Sequence, residues 1–308
     1  VDTMRGTLAA LGMTEELSFG FTSEKALDKL CTPADSSLRQ AIPIMNPLTD
    51  EYPLVRTTLL TSILENAARN VARKNLDLRL FDIAPVFFPK ALPLTELAEE
   101  KLKAAGLLTG RRSPIAWDTD NTVVDFYDAK GVLERFLTVI GVQKYTVERG
   151  EHFAMHPGKT AFFKKGRDVI AVLGEIHPTV AANFGIGQNV YVFEMDAETL
   201  LRYRRKKSTI KPLPKYPASA RDLAILVDAD LTTAEIERVI AKKGGKYFRH
   251  ATLFDIYAGK QVGEGKKSMA FHLHFQSDDK TLTDEEVDAA FAAILQAVEE
   301  QLHAQLRG

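Results

Sequence analysis

Apolar residues at Val55, Leu59, Leu60, Ile63, Leu64, Ala67, Ala68, Val71 and Ala72 recur every three or four positions. That period predicts a helix over 56–74 with a stripe two residues wide along its length. Helices are also predicted over 3–12, ended by Gly12, over 128–141, and from His177-Pro178 to Gly185. Shorter apolar runs without helical period predict strands at 18–21, 78–88, 122–128 and 190–196, and a hairpin over 161–175 around Lys165-Gly166-Arg167. Residues 42–53 hold three prolines and read as extended and turn-rich, and 92–106 reads as a polar insertion. Antiparallel strands with helices on one side make this part an α+β domain.

The pattern then breaks. Residues 202–217 (RYRRKKSTIKPLPKYP) are basic, hold three prolines and have no apolar period, so they read as a linker. The boundary falls near Ser208, giving domains over 1–207 and 208–308. Beyond it the order is strand 221–228, helix 232–243, strand 247–258, strand 267–276, helix 283–303 and a short strand at 304–307. That βαββαβ order is ferredoxin-like, and Thr283 with Glu286 forms a capping box for its last helix.

In such a fold both helices cover one sheet face and the other is open. Alternation puts Met269, Phe271, Leu273 and Phe275 inward, with Ser268, Ala270, His272, His274 and Gln276 outward. On the neighbouring strand it sends Phe254 and Ile256 inward and Leu253, Asp255 and Tyr257 outward. Asp255, Tyr257 and Ser268 are therefore expected together on that face, a group able to sit beneath one nucleobase. A carboxylate accepts both the N1–H and N2–H donors of guanine, and a tyrosine ring stacks on any base.

Composition narrows the class. Net charge is −1 over 308 residues, yet residues 202–267 hold 16 Lys/Arg against 7 Asp/Glu. A basic stretch in a neutral chain is the footprint of a polyanion partner. The single cysteine, Cys31, excludes internal disulfides and a cysteine-rich zinc site and suits a cytoplasmic location. No apolar run is long enough for a membrane helix, so no membrane partner is expected. Of His152, His156, Glu175 and His177 only the first two are four apart, and they lie on no predicted helix, so no metal site is expected from the set. The first residue is Val1, partway into a predicted helix, which reads as a piece of a longer chain.

The segments KYPASARDLAILV (215–227), LFDIYAG (253–259), GEGKKSMAFHLHF (263–275) and TLTDEEVDAAF (281–291) resemble the ferredoxin-fold anticodon-binding domain of bacterial phenylalanyl-tRNA synthetase β subunits. NPLTDEYPLVRTTLLTSILENAARN (46–70), LRLFDIAPVFF (78–88), VVDFYDAKG (123–131), MHPGKTA (155–161) and VLGEIHPTV (172–180) resemble that family's class II synthetase-like, catalytically inactive module. The resemblance implies an antiparallel-sheet module followed by the ferredoxin-like domain. It implies that Asp255 and Tyr257 meet the first anticodon base, with Ser268 beside them, Arg221 reaching phosphate and Lys266 and Lys267 adding charge. It implies that Arg56, Leu59, Leu60, Ile63 and Leu64 lie on a helix packed against a catalytic α subunit.

The partners implied are tRNA(Phe) and that α subunit in an α2β2 heterotetramer, which uses ATP and Mg2+. The chain itself is expected to hold no cofactor and to catalyse nothing. Active class II enzymes carry Phe-Arg-x-Glu in motif two, and here the position reads Arg79-Leu-Phe-Asp82-Ile; no Gly-Arg pair opens the helix after 190–196. Two other readings stay open: a self-contained class II-like ATP-dependent ligase, and an amino-acid-binding regulatory module.

Overall fold

The computed structural model describes residues 1–47, 49–205 and 212–307, the side chain of Lys260 excepted. It divides into two compact units, Val1–Ser208 and Thr209–Gly308. The boundary expected near Ser208, and part of the expected linker, lie outside the described residues.

The first unit opens with α1 (Asp2–Ala10), β1 (Thr14–Glu15), β2 (Phe21–Thr22) and α2 (Glu24–Lys29). Then come β3 (Leu54–Val55), α3 (Leu60–Ala72), β4 (Leu78–Phe88) and β5 (Glu99–Thr109). It closes with α4 (Phe126–Ile140), β6 (Thr146–Arg149), β7 (Met155–Lys165), β8 (Asp168–Ile176), α5 (Pro178–Phe184), β9 (Val190–Asp196) and α6 (Ala197–Tyr203). Seven strands form one sheet in the order β1-β4-β5-β9-β8-β7-β6. Only the β1–β4 pair is parallel.

Four local expectations are corrected. Most of 92–106 is not an insertion: β5 runs through its second half and pairs on both sides, with β4 and β9. Its run Ala104-Ala105-Gly106 is inconspicuous because the strand has to be thin there; a Cβ on Gly106 would lie 2.1 Å from the Phe193 ring. The expected strand over 122–128 gives way to α4 at Phe126, with Asp125 as its N-cap. The Asp125 carboxylate accepts from the Tyr127 and Asp128 amides, and Asp128 returns a bond to the Asp125 amide, leaving Val123 a single bridge to Arg111. Of 18–21 only Phe21 is in a strand. Helices cover both sheet faces rather than one. On one face Phe81, Phe163 and Phe193 pack with α1 and α4; on the other Leu80, Leu107, Val190 and Val192 pack with α3 and α5. Runs such as VYVFEMD are apolar at successive positions for that reason.

The wide stripe on α3 is absorbed here. Leu59, Leu60, Ile63, Leu64 and Ala67 are at most 1% exposed and belong to the second of these cores. Arg56 is equally internal. Its guanidinium donates to the Pro85 carbonyl at 2.9 Å and the Ser18 hydroxyl at 2.7 Å, and lies 3.5 Å from the Asp82 carboxylate. The expectation that Arg56, Leu59, Leu60, Ile63 and Leu64 face a partner subunit is therefore corrected: the stripe is two residues wide because it closes over its own sheet.

The start of α3 is held by a carboxylate from β9. Glu194 Oε1 accepts from the Thr58 hydroxyl at 2.7 Å and the Leu59 amide at 2.9 Å, and Oε2 takes the Lys103 ammonium at 2.5 Å. Burial acts to raise this carboxyl, but Lys103 and the two donors outweigh it and hold it below its ordinary value. A negative group at a helix N-terminus also complements the helix dipole.

A second polar knot lies between β1 and α3. Glu16 and Ser18 point inward, to Asn66 and Asp82 respectively, while Leu17 and Phe19 between and beyond them are 90% and 76% exposed. Glu16 is 5% exposed, and its Oε1 has no hydrogen-bond partner among the described residues. Burial pushes the Glu16 carboxyl up to about 7; the Asn66 bond opposes that shift and the Asp82 charge adds to it.

The second unit contains β10 (Ser219–Asp228), α7 (Thr233–Lys243), β11 (Phe248–Tyr257), β12 (Lys266–Phe275), α8 (Asp284–Leu302) and β13 (Gln305–Leu306). The sheet order is β11-β12-β10-β13, with every pair antiparallel. This is the expected βαββαβ order, and both helices start at capping boxes, Thr232 with Glu235 and Thr283 with Glu286.

Two measurements check the polar anchors. Glu194→Ala leaves Lys103 and two donors unanswered and should cost about 3–5 kcal/mol in urea denaturation; a loss under about 1 kcal/mol would show that α3 is held by packing alone. Glu16 gives a pH signature. Its folded-state carboxyl titrates near 7 against an ordinary 4.5, so the folded state binds the proton more tightly. Stability from this group is complete below pH 4.5 and falls as pH rises to about 7, by on the order of 3 kcal/mol. Glu16→Gln should abolish that fall, giving a smaller stability difference between acidic and alkaline buffer than the unsubstituted chain.

Candidate nucleic-acid interface

One face of the second sheet is a core. Leu223, Ile225, Val227, Met269, Phe271, Leu273 and Phe275 pack beneath Ile236 and Ile240 of α7 and Ile294 and Val298 of α8. The other face carries Asp222, Ala224 and Leu226 from β10 beside Ser268, Ala270 and His272 from β12, set by the pairs Asp222–His272, Ala224–Ala270 and Leu226–Ser268.

On β11 the alternation changes partway. Leu253 pairs with Phe271 and Asp255 with Ala270, which are adjacent, so Phe254 is an extra residue opposite no partner. Such a bulge sends two successive side chains to one side. Leu253 consequently faces the core and Phe254 the open side, the reverse of what plain alternation predicts. Phe254 is 50% exposed and stacks on His272, ring centroids 3.9 Å apart and planes at 14°. Ile256 pairs with Met269 on the helix side, as expected, although it is 53% exposed.

Asp255, Tyr257 and Ser268 do share the open face. Asp255 is exposed and, among the described residues, has no hydrogen-bond or ion-pair partner. It pairs with Ala270, and Ala270 with Ala224, so a floor of two methyl groups runs beside the free carboxylate. Tyr257 pairs with Ser268, which is only 5% exposed. The Arg307 guanidinium lies 5.7 Å from the Tyr257 ring centre, a cation–π distance, and the Arg307 amide donates to the Ala224 carbonyl at 3.0 Å. Gly259 keeps the ring where it is: a Cβ there would sit 2.5 Å from the tyrosine hydroxyl oxygen.

The basic residues are placed differently. Arg221 pairs with Leu273 on the helix side, and its guanidinium donates to Asp284 at 2.8 Å and Asp288 at 2.9 Å on α8. The structure thus gives Arg221 the task of tying α8 to the sheet and does not bring it to the open face. Lys266 is at the rim of that face, 2.6 Å from Asp228. Lys267 turns to the other side and donates to the Ala229 and Leu231 carbonyls at 3.0 and 2.6 Å.

Sequence reasoning missed Phe254, Arg307, Ala224 and Asp222 on this face. A signal for Phe254 exists: the polar residues His250 and Thr252 occupy even positions and Asp255 and Tyr257 odd ones, and a change of parity within one strand is the trace of a bulge. Arg307 lies beyond any periodic pattern and reaches the site only because β13 pairs with β10.

Comparison with known proteins agrees with this architecture. Residues 1–197 match the family described as the phenylalanyl tRNA synthetase beta chain CLM domain, and 214–307 the ferredoxin-fold anticodon binding domain. The chain is 38% identical to the phenylalanine–tRNA ligase beta subunit of Syntrophotalea carbinolica, covering 100% of this chain and 38% of that one. It is 36% identical to the same subunit from Clostridium acetobutylicum, over 99% of this chain and 37% of that one. Among solved structures, pyrrolysyl-tRNA synthetase from Desulfitobacterium hafniense aligns with a TM-score of 0.49 at 14% identity, over 65% of this chain and 66% of that one. The chain spans less than two fifths of the length of these beta subunits. With both of its units matched in order and the relatives alike from end to end of it, the chain belongs to the phenylalanine–tRNA ligase β-subunit family.

Proposed function

We propose that the second unit binds the anticodon region of tRNA(Phe) and reads guanine at its first position. The observation that carries this reading is the unpaired Asp255 carboxylate beside the Ala224–Ala270 floor, with the Tyr257 ring and Arg307 alongside. A flat base fits over methyl groups. Asp255 accepts from the N1–H and N2–H of guanine, which no other standard base offers together, and Tyr257 supplies a stacking surface. Lys266 at the rim adds attraction for phosphate; Lys267 faces the other side and Ser268 is a buried neighbour of the tyrosine.

The first unit acts as a non-catalytic module in phenylalanyl-tRNA aminoacylation, beside a catalytic α subunit in an α2β2 assembly, in the cytoplasm. ATP and Mg2+ do not fit its own residues. Both sheet faces are closed by packed cores, and the Arg79 guanidinium is spent on the Arg112 carbonyl at 2.7 Å. No cluster of metal-type ligands occurs among the described residues. The α-subunit contact falls on surfaces other than the buried face of α3.

The chain alone should therefore give no phenylalanine-dependent pyrophosphate exchange; measurable exchange overturns the non-catalytic reading. For the RNA site, the probe is an anticodon hairpin carrying guanine or inosine at the first anticodon position. The unsubstituted chain should prefer guanine, and Asp255→Ala should weaken guanine binding by about 1–3 kcal/mol and erase the preference. Tyr257→Ala should cost a similar amount while leaving the preference in place. An Asp255→Ala variant that still discriminates between the two hairpins removes this face as the reading surface.

A further inference from the structure

We propose that Phe254, backed by His272 and Asp222, is a second stacking site for an unpaired RNA base, adjoining the place where Asp255 and Tyr257 take the first. The inference rests on the RNA-binding reading above and extends it by one nucleotide. It starts from an anomaly: a large aromatic residue stands half exposed on a sheet whose other face buries Phe271 and Phe275 completely. The register of β11 against β12 shifts twice, between Phe248 and His250 and between Leu253 and Asp255, and the second shift turns Phe254 outward.

The ring is not loose there. His272 covers one of its faces, and the His272 Nδ1 lies 2.5 Å from the Asp222 carboxylate, which fixes the imidazole plane. β11 is the edge strand, so the second face of Phe254 has no neighbouring strand beyond it. Further along the same strand His250 stacks on His274 at 4.3 Å and 17°, continuing a row of upright rings across β11 and β12.

The size and surroundings of the feature choose its occupant. Around Phe254 the open face holds Asp222, Thr252, His250 and His274 on one side and Asp255 with the Ala224–Ala270 floor on the other, so the apolar area is one ring and two methyl groups among polar side chains. That is far less than a protein interface requires, and it equals what one nucleobase covers. Continuity with the guanine site favours the same conclusion, since Asp255 is the next residue in the chain and shares the face. Unstacked bases of RNA loops dock on aromatic side chains in this way, with little preference for base identity. The stacked pair Phe254–His272 brings no lysine or arginine, and Arg249 on the same strand is paired with Asp278 at 2.9 Å, so the contact is expected to be insensitive to salt.

The test uses the 308-residue chain, fluorescence anisotropy, and a series of anticodon hairpins in which single loop nucleotides are abasic. With the unsubstituted chain, removing the base on one side of the guanine should weaken binding roughly 5- to 150-fold. Phe254→Ala should lose a similar factor on the intact hairpin and nothing further on that abasic one; Phe254→Trp should bind the intact hairpin within about threefold of the parent. Thermal melts establish that both variants fold, and the abasic series needs no variant at all. If neither neighbouring base matters, or if Phe254→Ala weakens every hairpin by the same factor, the second site is refuted. Should Asp255→Ala erase the guanine preference while Phe254→Ala binds normally, the first site stands and the second falls. If neither substitution changes binding, the RNA reading of this face fails as a whole.

Discussion

Glu194 has little access to water, so its charge has to be answered from within the protein. Three donors answer it, and two of them, the Thr58 hydroxyl and the Leu59 amide, lie at the start of α3. The apolar stripe supplies the larger share of the attraction between α3 and the sheet, but burial is nearly indifferent to a small slide along the helix axis. Hydrogen bonds to a carboxylate are not. They fix where α3 begins, and with it which side chains drop onto β4, β5 and β9. The whole α3 face of the first unit follows from that placement, including the burial of Leu60 and Leu64.

The two units solve the same packing problem with opposite results for function. The first closes both faces of its sheet, so its polar residues are either interior anchors or peripheral. The second puts both helices on one side. Its open face has no core to build and is free to carry groups that would be costly inside: a lone carboxylate, three histidines, exposed rings. The contrast also separates two kinds of buried acid in the first unit. Glu194 is matched by an ammonium and stays ionised; Glu16 faces an amide and another carboxylate, and its proton is retained to about pH 7.

Much of this was legible in the sequence. The βαββαβ order, both sheet faces of β12, and the grouping of Asp255, Tyr257 and Ser268 follow from alternation and capping boxes, which are local signals. What alternation cannot carry is a change in its own phase, and so Leu253 and Phe254 were assigned to the wrong sides. β5 was hidden for a different reason: its alanines and glycine suit a strand squeezed by Phe193, a tertiary demand with no local signature. Arg221 and the α3 stripe show a third limit. A basic residue or an apolar stripe marks a need for a partner, and the sequence alone does not say that the partner is α8 in one case and the unit's own sheet in the other.

The bulge at Phe254 bears on how this strand tolerates change in length. At the regularly paired positions of β11 the loss of one codon would turn the downstream side chains over and send Asp255 or Tyr257 into the core. At position 254 it would not, because the extra residue has no partner across the ladder, and its removal returns the strand to plain pleating with Leu253 still inward and Asp255 still outward. Within this strand, a gap between relatives is tolerable at that position and at the similar irregularity between Phe248 and His250, and disruptive at the paired positions; an alignment that sets the gap at 254 one place to either side assigns the reading residues to the wrong face.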